Sequence, residues 1–233
     1  MTDAIRADGL PALTAQQMAE VDRIMIEDLG IELLQMIENA GRNLAMLALE
    51  RFEPASVVVL AGSGGNGGGG IAAARHLSNR GASVAIVVGQ DRDRLAQVTT
   101  KQLDIAERIG IAILEEPQPA ELIVDALIGY SLTGDPRGRK ADLIEWANAG
   151  SAPILALDTP SGLDVTTGQP ANLCISAIAT MTIAMPKAGL LGAPQVGELY
   201  LADISVPPSV YEGLGFVPFD NPFRRQTVVR LLA

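Results

Sequence analysis

Apolar positions along the chain follow two rhythms. Met18, Val21 and Met25 recur at helical spacing as far as Gly30, and Thr14 with Gln17 three positions on forms a capping-box pattern ahead of them. A first helix is expected there. In "IELLQMIENAGRNLAMLALERF" the residues Leu34, Ile37, Leu44 and Ala48 share one face, which predicts a second helix from Glu32 to Arg51, stopped by Pro54. The rhythm then changes. "SVVVLA" (56–61), "SVAIVV" (83–88), "LIVDAL" (122–127) and "PILALD" (153–158) are near-continuous apolar runs of the kind that make strands covered on both faces. Between them, 68–80, 93–109 and 139–149 have helical length and composition, so parallel βαβ units are the economical assembly. "ATMTIAM" (179–185) and "ELYLADI" (198–204) read as two further strands across a Gly/Pro-rich connection.

The fold class that follows is α/β, a three-layer αβα Rossmann-like sandwich around a mostly parallel sheet. One domain over 1–233 is expected, since no linker or internal repeat divides the chain. Residues 1–12 read as a loose lead-in, and 209–233 as an extension whose "NPFRRQTVVRLLA" packs as a strand or tail on its own domain. In an open parallel sheet, ligands bind outside the carboxyl ends of the strands. Four of the strands run directly into "GSGGNGGGG", "GQDRD", "IGYSLTGDPRG" and "TPSGLD", and the site is expected where these loops converge.

Composition narrows the chemistry. The net charge is −10 with scattered Lys and Arg, apart from small groups such as Arg137, Arg139 and Lys140, which argues against a nucleic-acid partner. No apolar run reaches membrane length and no basic leader precedes one, so a soluble cytoplasmic protein is expected. One cysteine, Cys174, and one histidine, His76, leave a structural zinc site without its usual ligands. Any metal would need oxygen donors.

The glycine loop contains G-x-G-x-x-G at Gly62, Gly64 and Gly67 between a strand and a helix, a context that favours a phosphate at the helix start. It lacks the Lys-Ser/Thr of an NTPase loop, and Asp91 lies far along for the ribose-binding acid of a dehydrogenase. Asp125 sits inside an apolar run, where a carboxylate needs a partner or a cation, or else caps the next loop. Asp158 leaves a strand ahead of the tight Pro160-Ser161-Gly162 turn. Aspartate oxygens, the Ser161 hydroxyl and the Asn66 amide oxygen together make a hard-oxygen cation site. His76 has no G-x-S-x-G serine to serve and is read as a packing or surface residue, whereas Lys187 is either a cation for a phosphate or acid, or an ordinary loop lysine.

The ordered segments "LTAQQMAEVDR", "MIENAGRNLA", "GNGGGGIAAARHL", "LIVDALIGYSLTG", "LALDTPSGLD" and "PKAGLL…GELYLADISVP" resemble the YjeF N-terminal-domain family, the NAD(P)HX epimerases, over residues 13–208. The resemblance implies a homodimeric enzyme, an isomerase of metabolite repair, that interconverts the R and S epimers of the hydrated cofactors NADHX and NADPHX beside a separate dehydratase. It implies a potassium ion on Asn66, Asp125 and Ser161. Substrate contacts fall on Gly65, Asn66, Gly67, Gly68 and Gly69, on Gly129, Tyr130, Ser131, Leu132, Thr133, Gly134 and Asp135, and on Asp158, which is also the candidate catalytic acid and base. The family reads N-N-G-G-D-G where this chain has residues 65–70, so an asparagine and an aspartate have become Gly65 and Gly69; Tyr130 and Ser131 replace a threonine and a glycine. The alternative is a non-catalytic, nucleotide-binding or dimerising scaffold of the same fold. A dinucleotide-dependent oxidoreductase stands further off, with no acid for the ribose.

Overall fold

The computed structural model describes residues 3–232. Nine strands form one sheet in the order β1-β9-β8-β7-β6-β5-β2-β3-β4. In chain order they are β1 (Ala4–Arg6), β2 (Ser56–Ala61), β3 (Ser83–Val88), β4 (Ala112–Leu114), β5 (Leu122–Ala126), β6 (Ile154–Leu157), β7 (Ala179–Ile183), β8 (Glu198–Ala202) and β9 (Val228–Leu232). Strands β2 to β8 are parallel neighbours, β9 pairs antiparallel with β8, and β1, parallel to β9, shares its reversed direction. The helices are α1 (Ala15–Arg23), α2 (Leu33–Phe52), α3 (Gly65–Ser78), α4 (Gln97–Arg108), α5 (Arg139–Ala149) and α6 (Pro208–Gly213).

Alternation along β2 sorts the layers. Val57, Val59 and Ala61 face a core built with α2, α3 and α4, while Val58 and Leu60 face α5 and the 173–177 segment. Helices therefore cover both faces, which is why the strands are apolar throughout. Thr14 and Gln17 form the expected capping box, and α1 passes into a π-helical turn over Ile24–Asp28.

Several expected boundaries move. The helix placed at 68–80 starts at Gly65, so most of the "glycine loop" is helix; the one placed at 93–109 runs over Gln97–Arg108 behind a 3-10 turn. The strands expected to end at 127, 158, 185 and 204 stop at Ala126, Leu157, Ile183 and Ala202, because the chain turns sharply at each carboxyl end. The lead-in is not loose: Ala4–Arg6 pairs with the C-terminal strand. β4, three residues long, carried no pattern in the sequence.

The glycines have a steric explanation. A Cβ at Gly67 would fall 1.9 Å from the Gly62 carbonyl oxygen, one at Gly62 1.9 Å from that of Leu127, and one at Gly70 2.4 Å from Ala126 Cβ. Glycine here lets α3 press onto the ends of β2 and β5. His76 lies on α3 with Nε2 2.8 Å from Glu38 Oε1, tying α3 to α2.

Candidate active site

A cleft of about 590 Å³ opens at the carboxyl ends of β2, β3, β5 and β6, within the size range of small-molecule sites. Its position is the topological switch point, where the strand order departs in both directions from β2. Gly64, Gly65, Asn66 and Gly69 line it from α3 and its approach, the whole of 129–135 lines it from the loop after β5, and Asp158 from the end of β6. Gly67 and Gly68 lie off the lining: Gly67 faces the Gly62 carbonyl, and Gly68 faces Ile37 and Thr99. Asp125 and Ser161 sit beneath the cleft floor, both fully buried.

The chemistry centres on Asp158. Its φ is +68°, uncommon for a non-glycine residue, and the Thr159 amide donates to the Leu157 carbonyl at 2.9 Å across it, a γ-turn. The next strand ends the same way: Ala184 has φ +64°, and Met185 N donates to Ile183 O at 2.8 Å. Such backbone costs on the order of 1–3 kcal/mol per residue and persists where surrounding contacts over-determine it. The result aims two charged groups at each other. Lys187, 0% exposed, donates from Nζ to Asp158 Oδ1 at 2.5 Å, to Thr182 Oγ1 at 3.0 Å and to Ile183 O at 2.7 Å. The Tyr130 amide holds the other oxygen, Oδ2, at 3.1 Å.

A second carboxylate closes this end. Tyr130 Oη donates to Asp22 Oδ2 at 2.6 Å, and Asp22 lines the cleft from α1. Burial pushes the Asp22 carboxyl upward, outweighing the opposing Tyr130 hydrogen bond, with the Asp158 charge adding to the rise. Burial and the neighbouring Asp22 raise the Tyr130 phenol. Asp22 was missed in the sequence. The available signal was a carboxylate at i+4 from Met18, bordering the apolar stripe of Met18, Val21 and Met25.

The floor holds a different cluster. Asp125 Oδ1 accepts from Ser161 Oγ at 2.6 Å and from Leu127 N at 3.2 Å, while Oδ2 accepts from Ser161 N at 2.7 Å. All these donors are neutral, and burial raises the carboxyl to about 6. The Ser161 hydroxyl also receives Ile128 N at 2.8 Å. Asn66 is brought close to Asp158 across Gly129, where a Cβ would meet Asp158 Oδ2 at 3.2 Å and Asn66 Cγ at 3.3 Å. Among the described residues, the buried Nδ2 of Asn66 has no hydrogen-bond partner.

At Gly69, a Cβ would come within 2.8 Å of Leu157 Cδ2. An apolar tip thus occupies the space that a longer side chain at this position would enter.

A Rossmann-like sandwich with an acid-lined cleft at its switch point defines the class, and residues 33–189 match the family described as YjeF-related protein N-terminus. The chain belongs to that family. It is 46% identical, over 97% of its length and 94% of the relative's, to a protein of Dehalogenimonas lykanthroporepellens named NAD(P)H-hydrate epimerase. A Weissella koreensis protein of the same name is 34% identical over 84% of this chain and 91% of its own. A Salinibacter ruber protein named bifunctional NAD(P)H-hydrate repair enzyme is 36% identical over 87% of this chain, which spans only 42% of that longer protein. The crystal structure of yeast ynu0 superposes with a TM-score of 0.83 over 95% of this chain and all of its own, at 22% identity, and so shares the fold.

Proposed function

We propose that this chain interconverts the R and S epimers of NADHX and NADPHX, the hydrated nicotinamide cofactors. The observation that carries the reading is the buried Asp158–Lys187 pair at the end of a dinucleotide-sized cleft, in a chain closely similar to proteins named NAD(P)H-hydrate epimerase. Epimerisation requires the hydroxyl on the hydrated carbon to leave and water to return on the other face. Lys187 Nζ makes a proton available at Asp158 Oδ1; Asp158 passes it to the departing hydroxyl, which leaves as water. The resulting ring cation then faces a carboxylate held by the Tyr130 amide. Water adds to the opposite face, and the proton it releases returns through solvent in the cleft to the Asp158–Lys187 pair, so the cycle consumes none. Tyr130 and Asp22 wall this end, and the amides at the start of α3 take the pyrophosphate.

The floor cluster suits an alkali cation through its oxygens: the buried Asp125 carboxylate, which has only neutral donors, and the Ser161 hydroxyl. Asn66, Asp125 and Ser161 would hold potassium, whose charge would neutralise Asp125 and join the three loops. The same reading takes the enzyme to be a cytoplasmic homodimer working beside a separate dehydratase. Among the described residues no helix is long and apolar enough to cross a membrane. The non-catalytic alternative is disfavoured, since a scaffold has no use for a buried, strained ion pair facing a cleft.

The test follows purified R-NADHX by chromatography that resolves the epimers. Wild-type protein should equilibrate R and S faster than buffer alone, and Asp158→Asn should lose at least ~100-fold of that rate, the lower range for a general acid–base group. Equal rates for the variant and wild type would remove Asp158 from the mechanism.

A further inference from the structure

The end of the cleft away from Asp158 carries a charge arrangement that epimerisation does not use. Arg137, Arg139 and Lys140 stand at the start of α5, and all three line the cleft. Arg139 is neutralised by Glu116, at 2.9 Å. Among the described residues, neither Arg137 nor Lys140 has an ion-pair partner, in a chain whose net charge is −10. The Lys140 stem is seated by a glycine: a Cβ at Gly89 would meet Lys140 Cγ at 3.3 Å and Leu127 Cδ2 at 2.9 Å. Gly89 and Gln90 follow β3 directly, so the lysine crosses the carboxyl end of that strand.

That location is where a dinucleotide in a Rossmann-like sheet places its adenosine ribose. Enzymes that take NAD present a carboxylate to the ribose 2′-hydroxyl there, and those that take NADP present a cation to the 2′-phosphate. Here Gln90 stands where the carboxylate would be. The carboxylates lining the cleft are Asp22, Asp135 and Asp158. Asp22 and Asp158 belong to the opposite end, bonded to Tyr130, and Asp135 is held by Asn172 at 2.8 and 3.0 Å.

We propose that Lys140 and Arg137 form a subsite for the adenosine 2′-phosphate, and that the chain therefore prefers NADPHX to NADHX. This rests on reading the cleft as a nicotinamide-dinucleotide site. The two cations supply charge that a dinucleotide without the phosphate leaves unused, and the missing acid removes the usual gain from a free 2′-hydroxyl.

Binding by titration calorimetry of adenosine 2′,5′-bisphosphate and of 5′-AMP isolates the phosphate, because the two differ in nothing else. The bisphosphate should bind at least tenfold more tightly. In the double variant Arg137→Ala/Lys140→Ala the ratio should fall to within about twofold, while Lys101→Gln, on the exposed side of α4, leaves it unchanged. Raising the salt concentration should shrink the wild-type advantage, a check independent of any variant. Equal binding of the two nucleotides, no binding of either, or an advantage that survives the double variant would each overturn the subsite. The ratio of kcat/KM for NADPHX over NADHX provides the separate arm. Turnover of both hydrates at equal efficiency sinks the preference and leaves the epimerase reading standing, whereas no turnover of either sinks that reading and leaves the nucleotide titrations to decide the subsite.

Discussion

Removing one member of the Asp158–Lys187 pair tests whether the site is as dry and as strained as its geometry implies. Lys187 is 0% exposed and Asp158 2%. Lys187→Met keeps the length and apolar stem but leaves the carboxylate with the Tyr130 amide and a long 3.4 Å contact to Thr182. Breaking a buried pair from one side costs about 3–5 kcal/mol, far above the ~0–1 kcal/mol of an exposed pair. For a chain of this length each 1 kcal/mol moves the midpoint by about 2–4 °C, so Lys187→Met should melt roughly 6–20 °C lower. Asp158→Asn, which tolerates the positive φ, should fall in the same range because it strands the ammonium. The double variant Asp158→Asn/Lys187→Met should recover part of the loss, with a coupling of about 1–3 kcal/mol. The assays are thermal melting and urea unfolding at pH 7, both followed by far-ultraviolet circular dichroism. Single variants that each cost under about 1 kcal/mol, with additive effects, would refute the picture of a desolvated pair.

The other predictions concern the glycines, the second carboxylate and the cation. Gly67→Ala should cost about 3 kcal/mol, the upper end for overpacking, since its Cβ would run into the Gly62 backbone at 1.9–2.8 Å, while Gly64→Ala, with open space around it, should stay within about 0.5 kcal/mol; urea midpoints compare them. Because burial raises Asp22 above its ordinary 3.8, its contribution to stability is fully present below about pH 4 and is lost as pH rises through the folded value. Asp22→Asn should therefore melt with wild type near pH 3.5 and above it at pH 7, and an unchanged difference between the two pH values would count against a buried carboxyl. Potassium at ten times its dissociation constant should stabilise by about 1.4 kcal/mol, roughly 3–6 °C, relative to N-methylglucamine at equal ionic strength, and Ser161→Ala should diminish the shift.

Much of the architecture was legible because the sheet is parallel and covered. Runs such as "SVVVLA" and "LIVDAL" are apolar on both faces only when helices flank them, and the helical pattern between them sets the order. What was not legible depended on partners remote in sequence. β1 is three residues of mixed character, a strand only because β9 lies beside it. The glycine run reads as a loop by composition, yet from Gly65 it is helix, because close packing on β2 and β5 outweighs glycine's poor propensity. Asp125 and Asp158 interrupt apolar runs at the carboxyl ends of strands, and Ser161 and Asn66 lie in the turn and the helix start that follow such ends. Lys187 could be read either way, and tertiary structure decides it: the turn at Ala184 swings a loop lysine into the core. Asp22 comes from a helix distant in sequence from the strand ends, and no local pattern connects it to them.

The sheet edge has a kinetic consequence. Among the described residues β1 pairs with β9 alone, through Ala4 with Arg230 and its two neighbours, a contact spanning more than two hundred residues. On the ribosome the first strand is synthesised long before its neighbour exists, whereas β2 meets β3 within a few tens of residues. Closing the longest loop comes late, since its entropy cost precedes any reward. The parallel centre and its cleft can therefore assemble with the edge still open, and the edge that closes last should be the first to open, which makes the amides of Ala4–Arg6 the fastest-exchanging strand amides in the native protein.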